Sequence, residues 1–190
     1  MEIKNKKILV LAPHTDDETL GCGGFINKLS FYNNIKVVTF SWCDLPVLKK
    51  EFKNACRVLG KNIETDILDF KVRYFDRQKV LDALINYRKV YNPDIILCPN
   101  GFDIHQDHHV VYKETIRAFK HKTILGYLLH WNIIGPSDFR LTVDLDSKNI
   151  EAKLNAISQY ESQINLSREY FVDTSWVKSQ EKFEVITWKY

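Results

Sequence analysis

Two short polar stretches hold most of the side chains that could do chemistry. The first, Pro13-His14-Thr15-Asp16-Asp17-Glu18, sets an imidazole beside three carboxylates. The second, Asp103-Ile104-His105-Gln106-Asp107-His108-His109, gathers three of the chain's six histidines into five residues. Part of the first stretch is what a helix start needs anyway. Thr15 with Glu18 three residues on is a capping-box pattern, and acids in a first turn suit the helix dipole. Capping leaves His14 and the adjacent pair Asp16 and Asp17 unexplained. Adjacent carboxylates repel, and His14 with Asp17 offers one nitrogen and one oxygen, donors a divalent cation takes. In the second stretch a spacing of three puts His105 and His108 on one side of a turn. Asp103 or Asp107 can accept the remaining N–H of a ligating ring. His109 points elsewhere once a helix has begun. His121 and His130 stand alone and read as ordinary polar groups.

Together the stretches supply His14, Asp17 and one of His105 or His108 as three ligands, with a fourth position open. That is the pattern of catalytic rather than structural zinc. Asp16 then stands where a proton can be taken from water, and the unused histidine can donate a proton or hold an oxyanion. Lewis acid, base and acid make a complete hydrolase set. Two rivals use the same residues. One is a metal-dependent hydrolase of another bond, such as a phosphoester, which commonly employs two metals. The other is a non-catalytic saccharide- or nucleotide-binding module, which has no use for Asp16 and His105. Gly21-Cys22-Gly23-Gly24 follows the first turn and does not meet the G-x-G-x-x-G pattern of dinucleotide loops. Those glycines read as close packing of a helix on a sheet.

The elements around these stretches alternate. Strands are predicted over 7–12, 35–42, 67–70, 95–98 and 123–129, and helices over 21–30, 46–59, 77–91 and 109–119. After Gly135-Pro136 come a strand over 139–145, a helix over 147–160 and a strand over 183–188. The alternation predicts an α/β fold, a single-domain Rossmann-like three-layer sandwich with a mostly parallel sheet, over residues 1–190. Ligands of such sheets bind at the carboxyl ends of the strands, where both polar stretches stand. The final third breaks the alternation and is expected to add edge strands and a flank.

Composition sets the class. The chain has 190 residues, 45% hydrophobic and 27% charged, with formal net charge +3. These values suit one sizeable core and exclude disordered, collagen-like and coiled-coil chains. A surplus of three positive charges is too weak to point to nucleic acid. No apolar run approaches a membrane span, and the N-terminal run 8–12 is too short for a signal peptide. Cys22, Cys43, Cys56 and Cys98 are scattered, none as C-x-x-C, and read as reduced thiols of a cytoplasmic protein.

The first stretch resembles the (A/P)-H-P-D-D-E motif of the PIG-L/LmbE-like zinc N-deacetylases, and Asp103 to His108 resembles that family's D-x-H-x-D-H motif. Glu51 to Gly60 is similar to its E-x-x-x-A-x-x-x-L-G helix. Asn92-Pro93-Asp94 leads into a strand as in the family. Lys153 to Ala156 with Ser162-Gln163 is similar to its K-x-x-A and S-Q elements, and Gln180 to Phe183 to its late A-E-x-F element. The resemblance implies His14, Asp17 and His108 as ligands of Zn²⁺, although nitrogen and oxygen donors discriminate poorly among first-row metals. It implies Asp16 as general base, His105 as acid or oxyanion stabiliser, and Asp107 as a carboxylate supporting His105. The implied activity is removal of acetyl from an N-acetylglucosamine-type group, on a free, nucleotide-linked or lipid-linked sugar, in a chain that can form homo-oligomers. Arg73 and Arg77 resemble an arginine-bearing segment of bacterial members and are the candidates for holding an anionic or hydroxyl-rich substrate. Two departures stand out: Thr15 replaces the usual proline, and Asp103 stands where some members carry a tyrosine.

Overall fold

The computed structural model describes residues 3–133 and 137–189, so Gly135 and Pro136 lie outside the described residues. The chain runs β1 (Lys7–His14), α1 (Asp17–Ser30), β2 (Asn34–Ser41), α2 (Pro46–Leu59), β3 (Glu64–Ile67), α3 (Arg77–Val90), β4 (Ile95–Pro99), α4 (Gln106–Phe119) and β5 (Thr123–Tyr127). A 3-10 turn (His130–Asn132) follows, then β6 (Leu141–Asp144), α5 (Ser147–Ile157), α6 (Glu161–Asn165), α7 (Glu169–Val172) and β7 (Gln180–Thr187). One seven-stranded sheet has the order β3-β2-β1-β4-β5-β7-β6. β3, β2, β1, β4 and β5 are parallel, while β7 pairs antiparallel with both β5 and β6.

β1 shows why both faces are covered. Its residues are buried from Ile8 onward, as expected of a strand with helices on each side. Alternate side chains go to different cores. Ile8 and Val10 join Phe25 of α1 and Phe52 of α2, while Leu9 and Leu11 join Val80 of α3 and Val111 of α4. The expected three-layer α/β architecture is therefore present. Strand order reverses between β1 and β4, the switch point at which such sheets open a crevice. The loops leaving those two strands carry the two polar stretches.

Several bounds differ from expectation for physical reasons. The third strand lies at Glu64–Ile67 rather than 67–70. It is an edge strand with polar residues and one partner, so it lacks the apolar run of a buried strand. Beyond it Leu68 and Phe70 still donate to Thr39 and Phe40 carbonyls. α1 starts at Asp17, four residues early, because Asp17 and Glu18 are buried within its first turn. It is broken at Cys22 (φ −147, ψ 26). Gly21 packs on the sheet as expected: a Cβ there would collide with the Tyr127 ring. The short helices α6 and α7 had no periodic signal of their own.

Candidate active site

The loop after β1 and the start of α4 converge on a cavity of about 540 Å³ at the β1–β4 switch point, lined by His14, Asp16, Asp17, His105 and His108 among others. His14 closes β1, so its ring is fixed by a strand end. His108 lies in the first turn of α4, of which His105 is the N-cap. Three donor atoms meet. His14 Nδ1 and His108 Nε2 are 3.3 Å apart, and Asp17 Oδ2 is 3.4 Å from the first and 3.3 Å from the second. A tetrahedral ion with ligand distances of about 2.0–2.1 Å separates its donors by about 3.3–3.4 Å, so this triangle has the size such an ion requires. His105 offers a further nitrogen, within 4.8 Å of the nearest atoms of His14 and His108.

The outward nitrogen of each ring is tied to a buried carboxylate. His108 Nδ1 lies 2.7 Å from Asp103 Oδ2, and His14 Nε2 lies 2.9 Å from Asp107 Oδ2. Such pairs orient ligating imidazoles and raise their basicity. Asp107 therefore serves His14 with its carboxylate, which also accepts the Arg73 N–H at 2.8 Å. It meets His105 only through its own backbone N–H, which donates to His105 Nδ1 at 3.2 Å. That bond leaves the neutral His105 ring with its proton on Nε2, on a side chain lining the cavity. The electrostatics follow from these partners. Burial works against a charged His14, but Asp107 and Asp17 outweigh it and raise its pKa to about 9. His108, opposed by burial and favoured by Asp17 and Asp103, rises to about 10. Burial would raise Asp17, yet the two rings hold its carboxyl far below the usual range. Burial and the neighbouring positive rings keep His105 below its ordinary value.

Asp16 is the exception among these acids. Every other residue from Ile8 to Asn27 is buried, and Asp16 alone in that run keeps partial exposure. It sits at the N-cap of α1, where an aspartate normally bonds the first-turn N–H groups, but its side chain makes no capping bond. Its backbone is at φ 123, ψ −31, a region that costs an L-residue about 1–3 kcal/mol. Burial, Asp17 and Glu18 all push its pKa well above the ordinary carboxylate value. The expected Thr15–Glu18 capping box does not form, because the N-cap is one residue later. Thr15 N–H donates to the Ser41 carbonyl, and the buried Thr15 hydroxyl has no partner among the described residues. Glu18 is fully buried and accepts from Asp16 N–H, Thr19 Oγ1 and Tyr160 Oη at 3.2, 2.6 and 2.8 Å.

Arg73 lines the cavity, as do Arg168, Tyr170 and Trp131 from the final third. Trp131 and Tyr170 stack at 4.3 Å and 8°. Arg77 does not line it, because its guanidinium is engaged by Glu114 of α4 at 2.7–2.8 Å. The remaining motif-like residues pair with one another. Glu51 accepts from Ser162 N–H and Oγ, tying the final third to α2. Lys153 meets Glu181 at 2.7 Å, and Lys153 donates to the Leu20 carbonyl while Glu181 accepts from Gly24 and Phe25 N–H, tying it to α1. The roles of Glu18 with Tyr160, and of Arg168 with Tyr170, were missed in the sequence. Only the long-range partner reveals them, and spacing carries no signal of it.

Solved structures share this fold. An N,N′-diacetylchitobiose deacetylase from Pyrococcus horikoshii superposes with a TM-score of 0.69 at 20% identity, over 95% of this chain and 84% of that one. A zinc-inhibited form of the teicoplanin deacetylase Orf2 gives 0.74 at 14%, over 93% and 96%. GalB, the 4-carboxy-2-hydroxymuconate hydratase from Pseudomonas putida KT2440, gives 0.72 at 15%, over 97% and 98%. Since the fold also serves a hydratase, the reaction has to be read from the site. The family described as PIG-L, GlcNAc-PI de-N-acetylase, matches residues 9–119, a span holding both polar loops, and the chain belongs to that family.

Proposed function

We propose that the protein is a metal-dependent hydrolase that removes the N-acetyl group from an N-acetylglucosamine-type amino sugar, free or conjugated. One observation carries the reading: in a single cavity, a three-donor triangle of metal-site size stands with a carboxylate, Asp16, that forgoes its capping bond. A divalent ion held by His14, Asp17 and His108, zinc by preference, would supply Lewis acidity toward the amide carbonyl and lower the pKa of water. Asp16 takes the proton of the attacking water, and its raised pKa strengthens it as a base. His105 donates an Nε2–H hydrogen bond to the developing oxyanion, and as that oxyanion collapses the proton held on Asp16 passes to the leaving amine beside His105. Asp107 orients His14 with its carboxylate and fixes the His105 tautomer with its N–H. Arg73 holds substrate at the mouth, and the Trp131–Tyr170 pair offers an apolar wall to a sugar ring. The four cysteines are free thiols, in keeping with a cytoplasmic setting.

The test is acetate release from N-acetylglucosamine and N,N′-diacetylchitobiose, with chelator and with zinc restored. Asp16→Ala is expected to keep one zinc per chain and lose acetate release by orders of magnitude. Near-normal turnover by that variant would remove Asp16 as the base. Two metal equivalents per chain, with hydrolysis of a phosphoester instead, would replace the amide by the rival bond.

A further inference from the structure

We propose that Glu18 and Tyr160 are positioning residues for Asp16. Their buried hydrogen-bonded pair holds the Asp16 backbone in the unusual conformation that turns its carboxylate away from the helix and toward the cavity. This rests on the reading of Asp16 as the base. An N-cap aspartate in ordinary extended backbone has its carboxylate taken by the helix N-terminus. At φ 123 Asp16 makes no such bond. A conformation that disfavours an L-residue persists only where its surroundings over-determine it. Here the Asp16 carbonyl accepts from Thr19 and Leu20 N–H at 3.0 and 2.9 Å, and its N–H is received by Glu18 Oε2 at 3.2 Å. Glu18 can do this only if its own carboxylate is fixed. The Thr19 hydroxyl, at 2.6 Å, belongs to the same turn and would move with it. The Tyr160 hydroxyl, at 2.8 Å, does not. Tyr160 is fully buried, follows α5 and packs edge-on against Phe171, so it is anchored in the final third of the chain. Tyr160 thus couples the docking of that third to the geometry of the base. The stacked wall of Trp131 and Tyr170 belongs to the same part of the structure, since Tyr170 lies 5.3 Å from Phe171.

The test uses the zinc-loaded full chain, with N,N′-diacetylchitobiose as the probe and structures of the variants as a second readout. Tyr160→Phe keeps the ring and removes only the hydroxyl, and Glu18→Gln keeps the volume. Tyr160→Phe is expected to lower kcat about tenfold or more, toward the roughly 10²-fold that an ångström of misplacement can cost. KM is expected to stay within about twofold and zinc content at its original value. In an Asp16→Ala background the same substitution is expected to cost nothing further, because the group it positions is gone. A crystal structure of Tyr160→Phe or Glu18→Gln is expected to show Asp16 relaxed to negative φ. The inference is overturned if Asp16 keeps φ near 123 in both variants, or if Tyr160→Phe costs as much without Asp16 as with it. If Asp16→Ala alone leaves turnover intact, it is the base assignment that fails, and the variant structures still decide the backbone claim.

Discussion

Replacing Asp103 by asparagine probes the metal-site reading where it is most exposed to refutation. Asp103 is buried and uses both oxygens. Oδ1 accepts the His105 N–H at 2.8 Å, while Oδ2 meets His108 Nδ1 at 2.7 Å and Asn132 Nδ2 at 3.3 Å. An amide of the same shape cannot satisfy this set. With its oxygen toward His105, its NH2 faces the His108 ring and favours the tautomer with the proton on Nε2, the atom that points at Asp17 and His14. With its oxygen toward His108, its NH2 confronts the His105 N–H. Either way a donor meets a donor, or the ligating nitrogen is blocked. Loss of a carboxylate behind a ligating histidine typically weakens metal binding 10–100-fold, about 1.4–2.7 kcal/mol. Zinc affinity measured by competition with a chromogenic chelator at constant pH should show that loss in Asp103→Asn. His108→Ala should lose binding more completely. Affinity within threefold of the natural chain in Asp103→Asn, alongside a collapse in His108→Ala, would refute the claim that the carboxylate sets the ring. Unchanged affinity in both would remove His108 from the ligand set.

Three further outcomes follow from the same geometry. Metal affinity should fall as pH is lowered from 8 to 6, with at least one proton released per ion. His14 and His108 titrate at about 9 and 10 without metal, so across that range cation and proton compete for the same nitrogens; pH-independent affinity in the same chelator competition would contradict this. Arg73→Ala should raise KM for acetylated sugars while Arg77→Ala leaves it unchanged, because Arg77 is turned to Glu114, which keeps Arg117 at 2.5 Å; equal effects on KM would return Arg77 to the cavity. Gly21→Ala should destabilise by overpacking against Tyr127, whose hydroxyl is bonded to the Leu11 carbonyl. A cost of about 1–3 kcal/mol lowers Tm by about 2–12 °C at this chain length, which calorimetry would read.

How much of this was legible in the sequence depends on whether a local pattern or a distant partner decides. α2 was read to its exact ends because Pro46 stands at the first turn, Gly60 follows, and Leu48, Phe52, Ala55, Cys56 and Leu59 form one buried stripe. β3 was displaced because an edge strand need not alternate. α6 and α7 are held by contacts such as Glu51 to Ser162 rather than by their own propensity. Both polar loops stood out by residue type, although a helix cap explained part of the first, and only the family resemblance chose His108 over His105 as a ligand. The allotment among them was not. Nothing in the spacing tells that Asp103 backs His108 and Asp107 backs His14. Nor does it tell that the N-cap is Asp16 and not Thr15.

That allotment is the strongest argument against reading the cluster as a polar turn. A solvated turn leaves its carboxylates interchangeable, each facing water. Here each of the five acids has its own partners or its own place. Asp17 points an oxygen at two imidazoles, Asp103 and Asp107 each hold one ring from behind, and Glu18 receives a backbone N–H and two hydroxyls. Four of the five are buried. Their imidazole partners outweigh that cost for Asp17 and Asp107, while burial outweighs the hydrogen bonds of Glu18 and raises its pKa to about 7. Asp16 is the remaining one, partly exposed, strained, and without a capping bond from its side chain. Strain at a residue that forgoes its capping role stabilises nothing in the resting fold. That is why the proposed base is Asp16 and not any of the other four.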